Sequence, residues 1–157
     1  MPTIATARKV SRDELLEFVR PRHRWSLVTT RRDGRLQVSP VSGGATDDGV
    51  LLISTYPDRA KAVNLRRDAA VTVLVHSDDW DGPYVQVDGT AEVLDMPAQA
   101  AEDGLVEYYR CAAGAEHPDW DEYREAMRRQ GKSLIRITVS GWGPIATGGF
   151  PPDRAPS

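Results

Sequence analysis

The chain has 157 residues but a single cysteine and three histidines. One cysteine, Cys111, excludes an internal disulfide and any cysteine-built zinc site. As a catalytic thiol it would need a base, and His117 is six residues away across a loop; the residue reads instead as a small buried hydrophobe. His23, His76 and His117 are scattered, so no metal site is expected. Long apolar runs are also missing. Val50–Ile53 and Val71–Val75 fall far short of the roughly 20 residues of a membrane helix. Met1–Lys9 holds no apolar stretch of signal-peptide length, so a cytoplasmic protein with no membrane partner is expected. A dominant charge is absent too: 20 basic against 23 acidic residues leave −3, which argues against nucleic acid as a partner.

Several chemical signatures are absent. No G-x-S-x-G elbow and no H-E-x-x-H occurs. Gly131-Lys132-Ser133 looks like the end of a phosphate-binding loop, but Ala126 stands where the first glycine belongs and the order runs from helix to strand. Gly141 and Gly143 lie past the last strand and are too few for a dinucleotide fingerprint. A chain without nucleophile, metal or triad either is not an enzyme or takes its chemistry from a cofactor.

What is present is a run of short strands. Ser11 and Glu14 form a capping box ahead of a helix through Leu15, Leu16, Phe18 and Val19, which Pro21 stops. Trp25–Thr30 reads as a strand, Asp33-Gly34 as a tight turn, and Leu36–Ser42 as the returning strand. Asp47–Gly49 turns the chain into a third strand, Val50–Thr55. Asp58 is the expected N-cap of a helix ending at Asp68, with Ala60, Val63 and Leu65 as its apolar side. Ala70–His76 and Tyr84–Leu94 are strands four and five, joined by the loop Ser77–Pro83. A helix starting at Asp95–Pro97 runs to about Cys111. A second capping box, Asp119–Glu122, opens a helix that ends at Gly131. Leu134–Val139 is the sixth strand. The tail, 141–157, is rich in glycine and proline and is expected to be irregular. The reading is one domain, 1–157, mostly β with four flanking helices, its strands closed into a barrel that removes exposed edges.

The segment Ile53–Asp68 concentrates charge. A strand ends in Ser54 and Thr55, and the helix that follows carries Arg59 and Lys61 in its first turn. Helix N-termini bind anions through free amides and the positive end of the dipole. Asn64, one turn on from Lys61, can face the same ligand. Cations there oppose the dipole at about 0.3–1 kcal/mol each. Two readings remain open on this ground: a phosphate-type anion site, or a solvated helix face.

The run Arg59–Asp68 closely resembles the helix after the third strand in the flavin/deazaflavin split-barrel oxidoreductases. These are the relatives of pyridoxamine 5′-phosphate oxidase, and the run looks most similar to their actinobacterial F420-dependent branch. Leu27–Arg35 with Gln37 and Ser39 fits the first hairpin of that family, Asp88–Val93 its fifth strand, and Tyr108–Arg110 with His117–Arg124 its helical insertion. The resemblance implies a six-stranded split β-barrel (an FMN-binding split barrel) that works as a homodimer with cofactor sites across the interface. By position, Arg59, Ala60, Lys61 and Asn64 would hold the phosphate and acidic tail of the cofactor, with Arg35 nearby. Gln37, Val38, Ser39, Ser54 and Thr55 would line its ring, and the segment from Trp80 to Tyr84 would reach in from the other subunit. Gln37 and Ser39 can also be read as pointing to solvent, and Trp80 as interface packing. The implied cofactor is coenzyme F420, with FMN as the alternative, because the F420 tail carries a phosphodiester and carboxylates where FMN has one phosphate. The implied activity is hydride transfer to a small organic substrate, with Tyr84 or a water as proton donor. A non-catalytic F420 carrier and a plain structural dimer are the rival readings.

Overall fold

Alternating burial along the strands sets the faces of the sheet. In the computed structural model, which describes residues 3–157, β2 (Arg24–Thr30), β5 (Ala70–Val75) and β6 (Val85–Asp95) bury every second side chain. With β3 (Leu36–Ala45), β4 (Leu51–Thr55) and β7 (Ser133–Trp142) they close an antiparallel barrel in the order β2-β3-β4-β7-β6-β5. Leu27, Ile53, Val73, Val85 and Ile135 fill its interior. Met1 and Pro2, the start of the expected domain, lie outside the described residues.

The helices cover what the barrel leaves open. α1 (Arg12–Val19) begins at a complete capping box, in which Ser11 Oγ accepts from the Glu14 amide and Glu14 Oε1 from the Ser11 amide. It buries Leu15, Leu16 and Val19, and Leu15 and Val19 join the barrel core. α2 (Ala60–Arg67) follows β4. α3 (Gln99–Ala113) and α4 (Trp120–Gln130) pack outside β4 and β7 through a second core of Leu52, Leu105, Met127 and Leu134.

Several sequence expectations need correction. α2 starts one residue later than a cap at Asp58 requires: its N-cap is Arg59, which makes no side-chain capping bond. Its buried residues are Ala62, Asn64 and Leu65, while Ala60 and Val63 are exposed, because packing on the barrel selects another face of so short a helix. At α4 the cap is one-sided: Asp119 accepts from the Glu122 amide with no return bond. The segment 141–157 is partly regular. β7 runs through Trp142, β8 (Ile145–Thr147) pairs with β1 (Thr6–Arg8), and a 3-10 turn forms at Pro152–Arg154. Neither three-residue strand shows a pattern of its own; each exists because the other lies beside it. Among the described residues no helix is long and apolar enough to cross a membrane.

One glycine fixes the barrel's packing. A Cβ on Gly43 would lie 2.1 Å from the ring of Trp25. That ring is fully buried and tied by its Nε1, which donates to the Arg22 carbonyl at 2.8 Å. Gly43→Ala is expected to cost about 1–3 kcal/mol in urea denaturation through overpacking. Gly141→Ala, with nothing within 4 Å of the added carbon, is the control that leaves the midpoint in place.

Candidate functional site

The barrel is split along one seam. β3 and β4 pair only at Gly43–Ala45 with Leu51–Ile53, then part. The Gly43 amide donates to the His23 carbonyl at 3.0 Å. Antiparallel alternation then directs the backbone groups of Val41, Ser39 and Gln37 to β2, and those of Ser42, Pro40, Val38 and Leu36 to the seam. The Ser42 carbonyl accepts there from the Tyr108 hydroxyl at 3.1 Å. Pro40, with no amide to offer, suits such an edge. Val38 and Leu36 present unpaired amides and carbonyls to it.

A cleft of about 540 Å³ fills the seam. One wall is Pro40–Ser42, the other Ser54–Tyr56. Arg59 and Lys61 line it from the start of α2, and Tyr108, Tyr109 and Tyr123 from α3 and α4. Lys132 completes it. Sequence reasoning set this lysine aside with its flanking Gly131 and Ser133, because its place depends on a register: β4 pairs with β7 so that Thr55 faces Ser133. Lys132 thus stands beside the β4–α2 corner, its Nζ 4.1 Å from the centre of the Tyr56 ring. Asp95 braces the corner by accepting both from Arg66, at 2.7 and 2.9 Å, and from the Ser133 hydroxyl.

The electrostatics are one-sided. Arg66 is paired with Asp95, but no carboxylate among the described residues pairs with Arg59, Lys61 or Lys132. The first turn of α2 holds no acidic residue and no side chain caps its amides. Burial, and after it the neighbouring Arg59 charge, pushes the Lys61 ammonium below the ordinary lysine range. Burial, reinforced by the phenols of Tyr108 and Tyr109, pushes the Tyr123 phenol up to about 12. Its hydroxyl donates to the Leu105 carbonyl at 2.8 Å. Tyr109, His117, Trp120 and Tyr123 pack ring against ring, every pair of centroids 5.0–5.7 Å apart. This cluster holds the start of α4 against α3 at the cleft's aromatic end.

Of the expected cofactor residues, Ser54, Thr55, Arg59 and Lys61 come together in the cleft. Asn64 is buried beneath it, its amide donating to Thr29 Oγ1 at 3.1 Å and its carbonyl accepting from Arg67 at 3.1 Å. Ala60 is exposed outside the cleft lining, and Arg35 sits at the β2–β3 turn. Gln37 and Ser39 do not point to solvent. They share a barrel face with Thr29 and Leu27, Gln37 Oε1 accepts from Thr29 Oγ1 at 3.2 Å, and Ser39 Oγ is buried without a partner. Val38 is exposed on the outer face. Trp80 and Tyr84 lie apart, in a cavity of about 400 Å³ with His76 and Leu74. Cys111 is half-buried with its thiol pushed up, first by burial and then by Glu107 and Asp47. His117 is no base for it, since His117 Nδ1 accepts from the Asp119 amide. Among the described residues no group of three or more His, Cys, Asp and Glu side chains could hold a metal ion.

A family model described as pyridoxamine 5′-phosphate oxidase matches residues 11–145. Among solved structures, a conserved hypothetical protein from Mycobacterium tuberculosis is 24% identical, with 88% of this chain and 86% of that one covered at a TM-score of 0.72. An F420 reductase is 23% identical over 80% of this chain and 94% of that one, at 0.57. A FAD-binding protein from Mesorhizobium loti is 16% identical over 93% and 100%, at 0.66. At these identities the likeness concerns the fold.

Lys61 carries a pH-dependent stability cost. Its ammonium is harder to hold in the folded than in the unfolded chain. The cost is full below the lowered folded pKa, and disappears as pH rises through it toward the ordinary lysine value. Lys61→Gln is therefore expected to stabilise the ligand-free protein at neutral pH, with the gain fading in the alkaline range. Urea midpoints measured at a series of pH values check both the sign and the window.

Proposed function

The chain belongs to the pyridoxamine 5′-phosphate oxidase family, and on that premise we propose that it binds coenzyme F420 at the β3–β4 seam and serves hydride transfer between it and a small organic substrate. The observation that carries this reading is the set of three cations, Arg59, Lys61 and Lys132, lining one cleft with no carboxylate paired to them. A single phosphate needs fewer. A tail with a phosphodiester and several carboxylates matches all three, and charge-assisted hydrogen bonds are the strong ones. The donor set fits: Thr55 and Ser54 supply hydroxyls, and the uncapped start of α2 supplies amides. The F420 reductase among the structural neighbours agrees with this choice of cofactor.

The seam edge supports the placement of the ring. Val38 and Leu36 offer backbone donors and acceptors on an open edge, beside exposed apolar side chains. Planar rings with a polar rim suit such an edge. The cofactor supplies the hydride carbon; the chain binds the tail, orients the ring and excludes water. We further propose a homodimer. Leu36, Val38 and Trp80 are 62%, 58% and 91% exposed, and a second copy covering them would remove a costly apolar surface.

Parallel fluorescence titrations with F420 and FMN at low salt test the reading. F420 is expected to bind more tightly, with affinity falling as salt rises. Lys61→Ala and Lys132→Ala are each expected to weaken F420 binding about tenfold or more, as the loss of a charged hydrogen bond predicts. Tighter FMN binding would move the protein to flavin chemistry, and unchanged affinity in both variants would remove the cleft as the site. Binding without turnover would make the protein a carrier.

A further inference from the structure

The cation cleft continues past Ser42. Pro40, Val41 and Ser42 also wall a hollow of about 450 Å³ whose far side holds Ser26, His76 and Trp80. His76 and Trp80 in turn wall the cavity of about 400 Å³ that contains Leu74 and Tyr84. Shared walls thus set the cation cleft, this hollow and the cavity side by side, with His76 and Trp80 between the last two. The terminal ribbon closes the cavity's end: Thr3, Gly148 and Gly149 line the cavity, and Tyr84 and Ala146 exchange backbone hydrogen bonds of 2.9 and 3.0 Å.

His76 is held in one pose. Its backbone amide donates to the Arg24 carbonyl at 3.0 Å, and its Nε2 lies 2.8 Å from Ser26 Oγ. Its ring runs nearly parallel to that of Trp80, at 16° with centroids 6.4 Å apart. Nδ1 has no hydrogen-bond partner among the described residues. The Ser26 hydroxyl can accept from Nε2–H, which leaves Nδ1 as the nitrogen open to a ligand. The charged groups around the ring are Arg24 from β2 and Asp78 and Asp81 from the loop, with the Tyr84 phenol beside them. Arg24 and Asp78 pair at 3.7 Å and largely offset each other. No charged side chain of β3 lines these two hollows.

We propose that His76 is the proton donor of the reaction, acting from Nδ1 on a substrate held beside Trp80. This rests on the hydride-transfer reading above. A hydride supplied by reduced deazaflavin, which is oxidised by two electrons, forms a C–H bond at one end of an activated double bond. The π pair moves to the other end, which takes the proton as the Nδ1–H bond of the imidazolium breaks. Neutral imidazole keeps Nε2–H on Ser26 and recovers its proton from water. A tyrosine has an ordinary pKa of about 10, poorly matched to proton transfer near neutrality, whereas histidine is suited to it. Tyr84 is thereby left to shape the cavity.

Nitrogen-15 histidine NMR on protein loaded with oxidised F420, with cyclohexenone as the probe, tests the assignment without turnover. At alkaline pH His76 is expected as the Nε2–H tautomer, its Nδ1 resonance should move when the probe is added, and Ser26→Ala should lose the tautomer preference. With reduced F420, His76→Gln should keep wild-type cofactor affinity, lose about 100-fold or more of the probe reduction rate, and lose the neutral-range pH dependence of kcat. An Nδ1–H tautomer, an Nδ1 resonance indifferent to the probe, or wild-type turnover in His76→Gln overturns the assignment. Absence of F420 binding in the wild-type protein, read separately by titration, overturns the cofactor reading and this assignment with it.

Discussion

The parting of β3 from β4 after three residue pairs is the constraint on which the rest of the structure depends. A fully paired barrel would satisfy its backbone internally and leave nothing to bind with. Here the seam side of β3 from Leu36 to Ser42 has no strand beside it, and among the described residues only the Tyr108 hydroxyl bonds to its backbone. The barrel stays closed because β4 is held on its other side by a five-residue ladder to β7. That ladder also sets the composition of the cleft. By facing Thr55 with Ser133 it brings the start of α2 and the end of α4 to the same corner.

Charge at that corner runs against the chain as a whole. The protein is net negative, yet Arg59, Lys61 and Lys132 line one hollow without acids. Arg66, two residues beyond Asn64, shows the contrast: its guanidinium bonds Asp95 and the Pro57 carbonyl, bracing α2 against β6. Asn64 is likewise structural, linking α2 to Thr29 on β2. The same eight-residue helix thus carries a bracing face and a free cationic start. Cations held beside an uncapped helix N-terminus oppose the helix dipole and lower the stability of the chain on its own.

The segments near the two chain ends reach beyond the barrel. β1 and β8 form a ribbon, and through Tyr84 it is stitched to the segment ahead of β6. This turns the loop carrying Trp80 into the wall of a cavity. Trp80 itself remains almost wholly exposed.

The barrel strands and the helices α1 and α4 were legible because burial alternates with the period of the secondary structure, and because Ser11 and Gly131 mark helix ends by local chemistry; α3, expected to end near Cys111, runs on to Ala113. Arg59, Lys61, Ser54 and Thr55 were legible for a similar reason: a strand end and a helix start adjacent in sequence are adjacent in space. β1 and β8 were not, since each is three residues long and is defined only by a partner some 140 positions away in pairs such as Thr6 and Thr147. Lys132 and His76 were hidden by the same distance. What a residue does within a few positions of its own is written in the sequence. What it faces across the seam depends on the β4–β7 and β2–β5 registers, and those are settled only when the whole barrel closes and each strand must bury its apolar side.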